Sequence, residues 1–262
     1  MILAIDIGNT NTVLGCCRGH DILFVERLST APSRTVLEYA ISIKNVLELN
    51  KINRDEITGA IISSVVPPLT NQFRDAIKKI AQVDALIVGP GVKTGLNILM
   101  DNPAQVGSDL IVNAVAAIVE HEAPLVIIDM GTATTLSVID RNKNYIGGMI
   151  LPGIRVSLDS LVSRTSQLPR ISLEAPKRLI GKNTTECMKS GVIHGNAACI
   201  DGMIDRIERE LGEKTTVIAT GGLASTITPH CFHEIVLDDA LLLKGLMHIY
   251  YKNTGASDGA LK

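Results

Sequence analysis

The run Ile5-Asp6-Ile7-Gly8-Asn9-Thr10-Asn11-Thr12-Val13 returns in altered form as Ile128-Asp129-Met130-Gly131-Thr132-Ala133-Thr134-Thr135-Leu136, its aspartates 129 − 6 = 123 residues apart. Recurrence at about half the chain length constrains the fold more than any other feature, because it reads as two copies of one structural idea. In each copy an apolar run ends in a carboxylate, passes a glycine and small hydroxyl or amide side chains, and re-enters a β-rich pattern. That describes a tight hairpin suited to phosphate: Gly admits close backbone approach, and Thr and Asn add donors. The carboxylate repels phosphate, so its role in such a site is to hold a cation or that cation's waters. Either motif alone is an ordinary turn; the pair suggests two hairpins that clamp a Mg-nucleotide.

Composition narrows the field. The 262 residues can bury a large core and suit two subdomains of somewhat over 100 residues each. Hydrophobic residues at 46% and charged residues at 20% place the chain with ordinary globular proteins. With no Trp, three Phe and four Tyr it lacks the aromatic platforms of single-strand nucleic-acid binders. A formal charge of −2 without long charged runs gives no electrostatic footprint for DNA or RNA. Residues 1–15 lack a basic leader pattern and no apolar run reaches the ~18 residues a membrane helix needs, so a cytoplasmic location away from the membrane is expected. Cys16, Cys17, Cys187, Cys199 and Cys231 form no Cys-x-x-Cys pair and read as reduced core thiols. His230-Cys231-Phe232-His233 has no second ligand pair and reads as a loop with incidental histidines, not a structural zinc site. Arg34, Lys93 and Arg155 are candidate anion contacts for which solvated surface charge is the simpler reading.

Periodicity predicts strands at Ile2 to Ile5, Thr12 to Cys16 and Ile22 to Leu28, then a helix over Arg34 to Leu49. A strand at Gly59 to Ser63, a helix from Pro67-Pro68 to Ile80, a strand at Ala85 to Val88 and a helix from Leu110 to Val119 complete the first half. The second half opens alike, with strands at Leu125 to Asp129, Thr134 to Ile139 and Tyr145 to Ile150. Helices at Ile154 to Ser163 and Thr185 to Leu211, a strand at Thr216 to Thr220 and a helix from Asp239 to Tyr250 follow. The expected division is 1–121 and 122–252, with a polar, frayed tail over 253–262 and a cleft between the halves.

The two Asp-Gly hairpins, together with Ala219-Thr220-Gly221-Gly222-Leu223-Ala224, resemble the phosphate-1, phosphate-2 and adenosine motifs of the acetate and sugar kinase/Hsp70/actin superfamily. Asp6 to Asn11, Asp101-Asn102-Pro103, Gly107-Ser108-Asp109, Asp129 to Thr134 and Gly148 to Gly153, in that order, more closely resemble type III pantothenate kinase. The resemblance runs to about residue 250. It implies an α/β fold of two ribonuclease-H-like (actin-like ATPase) domains with mixed sheets and an interdomain nucleotide cleft. It also implies ATP-dependent phosphorylation of pantothenate to 4′-phosphopantothenate at the entry to coenzyme A synthesis, a homodimer, and a need for Mg²⁺ with K⁺ or NH₄⁺. A Gly-x-x-x-x-Gly-Lys-Ser/Thr loop is absent, which removes P-loop chemistry.

A kinase acting on an alcohol needs a base near the hydroxyl, and Asp109 at the opening of a helix is the candidate; in the resembled family this Asp accepts the proton. Read alone, it is more simply a first-turn Asp complementing the helix dipole. The resemblance further implies that Asp6, Ile7, Gly8, Asn9, Thr10, Asn11, Thr12 and Val13 wrap the ATP phosphates, with Asp6 near Mg²⁺ and Thr132 in the equivalent place on the second hairpin. Asp129 would hold the monovalent cation, and Gly221-Gly222 would let adenosine lie against backbone. Gly107, Ser108, Asp109 and Leu110 would meet pantothenate, with Thr184 supplied by the partner subunit. Two positions depart from the family: Leu110 replaces an Arg and Met100 a Tyr, each the loss of a polar contact to the acceptor. A same-fold kinase for another small hydroxy acid, or a non-catalytic nucleotide-binding regulator, therefore stands beside the first reading.

Overall fold

The computed structural model describes residues 1–19 and 21–255. Two compact units emerge: Met1–Leu96 and Asn102–Ala116 with the chain from Leu241 onward, and Asn97–Asp101 with Ala117–Ala240.

The first unit is built on β1 (Ile2–Ile7), β2 (Asn11–Arg18), β3 (Asp21–Ser29), β4 (Gly59–Ser64) and β5 (Ala85–Ile87), in the order β3-β2-β1-β4-β5. β1 pairs antiparallel with β2 and parallel with β4. It is covered on both faces, so its six residues are all buried and, Asp6 apart, read as one apolar run instead of an alternation. Side-chain alternation sorts that run. Leu3, Ile5 and Ile7 join the core under α1 (Val36–Leu49) and α2 (Pro67–Ala81), while Ile2 and Ala4 join the core under α3 (Ser108–Glu120) and α7 (Leu241–Thr254). By the same period Asp6 lies on the α3 face.

Local signals set the helix bounds. α1 starts at Val36 instead of Arg34 because Thr35 and Glu38 form a capping box. α2 opens on Pro67-Pro68, where a missing N–H costs nothing, and closes on Gln82 at φ 57°. α3 begins at Ser108, two residues before the expected Leu110, which puts Asp109 inside the first turn.

The second unit repeats the plan with β7 (Leu125–Met130), β8 (Ala133–Ile139), β9 (Asn144–Pro152), β10 (Thr216–Thr220) and β11 (Val236–Leu237). Its sheet runs β11-β10-β7-β8-β9-β6, the extra strand being β6 (Asn97–Ile98), parallel to β9. Stripped of β6, the order and directions match those of the first sheet. α4 (Ile154–Ser163), α5 (Thr184–Leu211) and the short α6 (Ala224–Ile227) cover the face that carries Val126, Ile128 and Met130. Asp129 therefore points to the opposite face. This is an α/β fold with mixed sheets, as expected.

The expected contiguous division, 1–121 and 122–252, differs from the one the chain adopts. α7 returns to the first unit, because Leu243, Leu246, Met247 and Ile249 bury against the Ile2, Ala4 and Ile61 face of the first sheet. Asn97–Asp101 crosses the other way through the β6 pairing. Of the tail 253–262, α7 takes up Asn253 and Thr254, and residues 256–262 lie outside the described residues. Among the described residues no helix is long and apolar enough to cross a membrane.

Candidate active site

The first turn joins Ile7 to its register partner Thr12. Gly8 N–H donates to the Asn11 carbonyl at 3.0 Å, leaving Asn9 and Thr10 at the tip. Gly8 has an ordinary φ; it is glycine because a Cβ there would meet Asn11 O at 2.9 Å. Asn9, Thr10 and Asn11 are exposed, whereas Ile7 and Thr12 are fully buried. Ile7 can thus offer a ligand only its backbone, and partly buried Val13 sits opposite Asp6. Thr12 shares the face of Leu14 and Cys16, opposite to that of Asp6, and its Oγ1 lies 3.0 Å from Thr30 Oγ1.

The second turn is one residue shorter. Gly131 N–H donates to Ala133 O at 3.0 Å, and Thr132 alone forms the tip. Asp6 pairs in register with Val13 but Asp129 with Thr135, so the cross-strand counterpart of Thr12 is Thr134, not the Thr135 that an ungapped sequence match suggests. Gly131 is exposed, and a Cβ on it would make only ordinary contacts at 3.6 Å, so neither φ nor protein packing calls for glycine there. Its effect is to leave the backbone of the turn bare to solvent. Thr135, on the Asp129 face, buries an Oγ1 that has no hydrogen-bond partner among the described residues. A buried hydroxyl without a partner costs about 1–3 kcal/mol, a cost that an oxygen-seeking cation held there would remove. Gly221, at φ 96°, follows β10 next to this turn: a Cβ on it would meet Asp129 Oδ1 at 2.7 Å and Met130 N at 2.6 Å. Gly222 after it is exposed.

Asp109 is tied to the first turn through the parallel β1–β4 pairing. Asp6 is in register with Ser63 and Ile7 with Ser64. Ser63 Oγ lies 3.0 Å from Ser108 Oγ; Ser108 Oγ donates to Ser64 O at 3.0 Å and accepts from Ser64 N at 3.1 Å. The Ser108 hydroxyl is thereby committed to pinning the start of α3 on β4, and the neighbouring Asp109 is held close to the end of β1. Asp109 Oδ1 accepts the Leu110 N–H at 2.9 Å, leaving Oδ2 for a proton. Burial raises the Asp109 pKa above the ordinary carboxylate value, against the lowering effect of the Leu110 and Asp109 backbone N–H groups. Gly107 is required because a Cβ would meet Asp109 Oδ1 at 2.5 Å. Leu110 contributes an N–H to this arrangement, which any side chain preserves. Met100, 38% exposed, belongs to the second unit, as does Thr184, the exposed first residue of α5, where Asn183 Oδ1 accepts from Glu186 N at 2.9 Å as the cap.

Other candidate chemistry is quiet. Burial pushes the Cys17 and Cys231 thiols up to about 12, so both are protonated and poor nucleophiles at neutral pH. His233 Nε2 lies 2.9 Å from Asp205 Oδ1, with Glu208 close by. Glu208 is already engaged by the Lys214 ammonium and the Thr215 N–H, so these groups form an ion-pair network. The sequence reading missed Thr30, Ser63 and Ser64. Each is a hydroxyl residue at or just beyond the end of a strand, outside any motif, and only strand register reveals its partner.

A twice-repeated mixed sheet with an Asp-x-Gly turn after the first strand of each, and an acid at the start of a helix seated on the first sheet, is the plan of the actin-like ATPase superfamily. Comparison with known proteins sharpens this. Residues 2–206 match the family model described as type III pantothenate kinase. The type III pantothenate kinases of an Exiguobacterium species and of Halalkalibacterium halodurans are 45% and 44% identical to the chain over 253 residues, covering 97% of it and 99% and 100% of themselves. The chain belongs to the type III pantothenate kinase family. Among solved structures it is similar to component A of the (R)-2-hydroxyglutaryl-CoA dehydratase of Acidaminococcus fermentans (TM-score 0.55, 16% identity, 96% of this chain and 97% of that one). A Campylobacter jejuni protein described as a Baf family transcriptional activator gives a TM-score of 0.59 at 20% identity over 97% and 99% of the two chains. At these identities the likeness is one of fold.

Proposed function

We propose that Asp109 is the base with which this chain phosphorylates pantothenate from ATP, the opening step of coenzyme A synthesis. The observation that carries the assignment is the pinning of the start of α3 to Ser63 and Ser64, the register partners of Asp6 and Ile7, by the Ser108 hydroxyl, with one Asp109 carboxylate oxygen committed to Leu110 N–H. Asp109 Oδ2 takes the proton of the 4′-hydroxyl as that oxygen bonds to the γ-phosphorus, and the bond from the γ-phosphorus to the ADP oxygen breaks in line. The raised pKa helps, since a weakly basic carboxylate is a poor acceptor for an alcohol proton.

The backbone N–H groups of Asn9 to Asn11 and of Thr132, with the exposed Thr10, Asn9 and Thr132 side chains, contact the phosphates, while the Gly8 and Gly131 N–H groups close the turns on the Asn11 and Ala133 carbonyls. In this reading the two turns share one nucleotide, and adenosine lies against Gly221 and Gly222. Asp6 holds Mg²⁺. Asp129, with the buried Thr135 hydroxyl, holds K⁺ or NH₄⁺. When bound, the cations offset phosphate charge as it shifts during transfer. Gly107, Leu110 and the partner subunit's Thr184 border pantothenate. The exposed Leu179 (65%) and Ile180 (80%) before α5, and Val156 and Leu161 on α4, support a second copy of the chain as what covers this region.

Product analysis tests the proposal. With ATP, Mg²⁺, K⁺ and pantothenate, mass spectrometry and ³¹P NMR are expected to find 4′-phosphopantothenate, and Asp109→Asn to abolish it. Preferential phosphorylation of another hydroxy acid from a panel would move the acceptor assignment and trace to Leu110 and Met100. Undiminished product from Asp109→Asn would remove Asp109 from the role.

A further inference from the structure

Phosphate-binding turns present a general difficulty: every peptide unit that offers an N–H to the anion also carries a carbonyl that repels it. The first turn disposes of its carbonyls through one residue outside it. Thr30, the residue after β3, donates its N–H to the Thr10 carbonyl at 3.0 Å and its hydroxyl to the Gly8 carbonyl at 2.7 Å. With its single proton given to Gly8 O, the Thr30 hydroxyl can only accept from Thr12, so Thr12 Oγ1 is the donor in their 3.0 Å contact. The Thr12 hydroxyl proton is thereby directed at Thr30.

Thr30 is itself held. The next residue, Ala31, accepts from Tyr39 Oη at 2.8 Å through its carbonyl and donates to the same atom at 3.2 Å through its N–H. Tyr39 is fully buried in the core on α1. A chain of hydrogen bonds and one peptide link thus runs from the α1 core through Ala31 and Thr30 to two carbonyls of the turn, those of Gly8 and Thr10.

The second turn lacks this device. Gly153, the residue after β9, repeats the backbone bond, donating to Thr132 O at 3.1 Å, but has no hydroxyl, and the Thr134 Oγ1 that corresponds to Thr12 is buried without a partner among the described residues. A side chain at Gly153 is excluded because a Cβ would run into the Gly131 and Thr132 carbonyls. Two turns alike in sequence are thus braced differently.

We propose that Thr30 is a positioning residue for nucleotide binding: its hydroxyl draws the Gly8 carbonyl away from the anion and fixes the turn with its N–H groups outward. The proposal rests on the reading of this turn as the ATP-phosphate site and assigns its rigidity to one hydroxyl. The test compares the wild-type chain with Thr30→Val, which keeps the shape and removes the hydroxyl, and Thr30→Ser, which keeps the hydroxyl. Thr30→Val is expected to raise KM for MgATP roughly tenfold, with KM for pantothenate unchanged and kcat within about twofold, and Thr30→Ser to restore KM for MgATP. Circular dichroism and the melting temperature establish that each variant is folded, and should Thr30→Val fail to fold, Thr30→Ala takes its place with the same expectation. A folded, active Thr30→Val with wild-type KM for MgATP, or a uniform loss in all three constants that Ser does not rescue, overturns the role of Thr30 alone. Wild-type protein without ATP turnover overturns the site reading, and the role of Thr30 with it.

Discussion

Asp109 is asked to act as a base while burial disfavours its charged form, and both consequences are measurable. A base works deprotonated, so activity falls as pH drops through its pKa, and raising that pKa moves the acid limb of the kcat/KM profile above the ordinary carboxylate range. An acid limb at the value of a free aspartate would contradict this. The same shift acts on stability with its own sign. A carboxyl with a folded pKa above its unfolded one favours the fold below the unfolded pKa and loses that contribution as pH rises through the folded pKa. At neutral pH the charge therefore costs stability, and Asp109→Asn, which can still accept the Leu110 N–H, is expected to lose kcat by at least a hundredfold while raising the melting temperature. A calorimetric scan checks the second half; a lowered melting temperature would show that the carboxylate is structural. Legibility in the sequence differed among residues. Asp6 and Asp129 stood out because a carboxylate at the end of an apolar run, two residues before a glycine, is conspicuous, and Asp109 because it follows Gly107-Ser108 at a helix opening; the pinning of the Ser108 hydroxyl was not legible, because its partners Ser63 and Ser64 lie 45 and 44 residues away.

Elements with strong local signals matched their expected bounds. α4 and β10 agree to the residue, since Gly153 and the apolar run before Gly221 mark their ends unambiguously. Elements whose existence depends on partners escaped: β6 and β11 are two-residue pairings with no periodicity of their own, and the one-residue difference between the turns follows from register. α3 carries Asp109, so its seating matters to the site. Gly245 on α7 lets the two helices approach until a Cβ would clash with the Val112 backbone. Gly245→Ala is expected to cost about 1–3 kcal/mol in urea unfolding, because neither the backbone of α3 nor that of α7 can yield cheaply. Loss of activity beyond that of unfolding would follow as α3 shifts; unchanged stability would show the helix contact to be looser than drawn.

At the scale of the whole molecule, the repeat foretold two units of like topology but not the exchange of α7 and β6 between them. That exchange is decided by which buried face each segment's apolar residues fit, information the linear pattern of Leu, Met and Ile does not contain. The proposed dimer assigns Asp109 and Thr184 of one acceptor site to different copies, which complementation can reveal. Asp109→Asn and a bulky, charged Thr184→Lys are each expected to be nearly inactive alone. Co-expressed, they should regain about a quarter of wild-type activity, since random pairing makes half the dimers mixed and each mixed dimer keeps one intact site. No recovery would place both groups in one chain or remove Thr184 from the site.

The claim on which the rest depends is that the acid at the start of α3 deprotonates pantothenate for transfer from ATP. Its most direct test is coupled ADP release in Mg²⁺ and K⁺, with and without pantothenate, for the wild-type chain and Asp109→Asn. The account predicts release from the wild type only when pantothenate is present, and none from the variant, although it still binds ATP. Release indifferent to pantothenate, or equal in the two proteins, would contradict it.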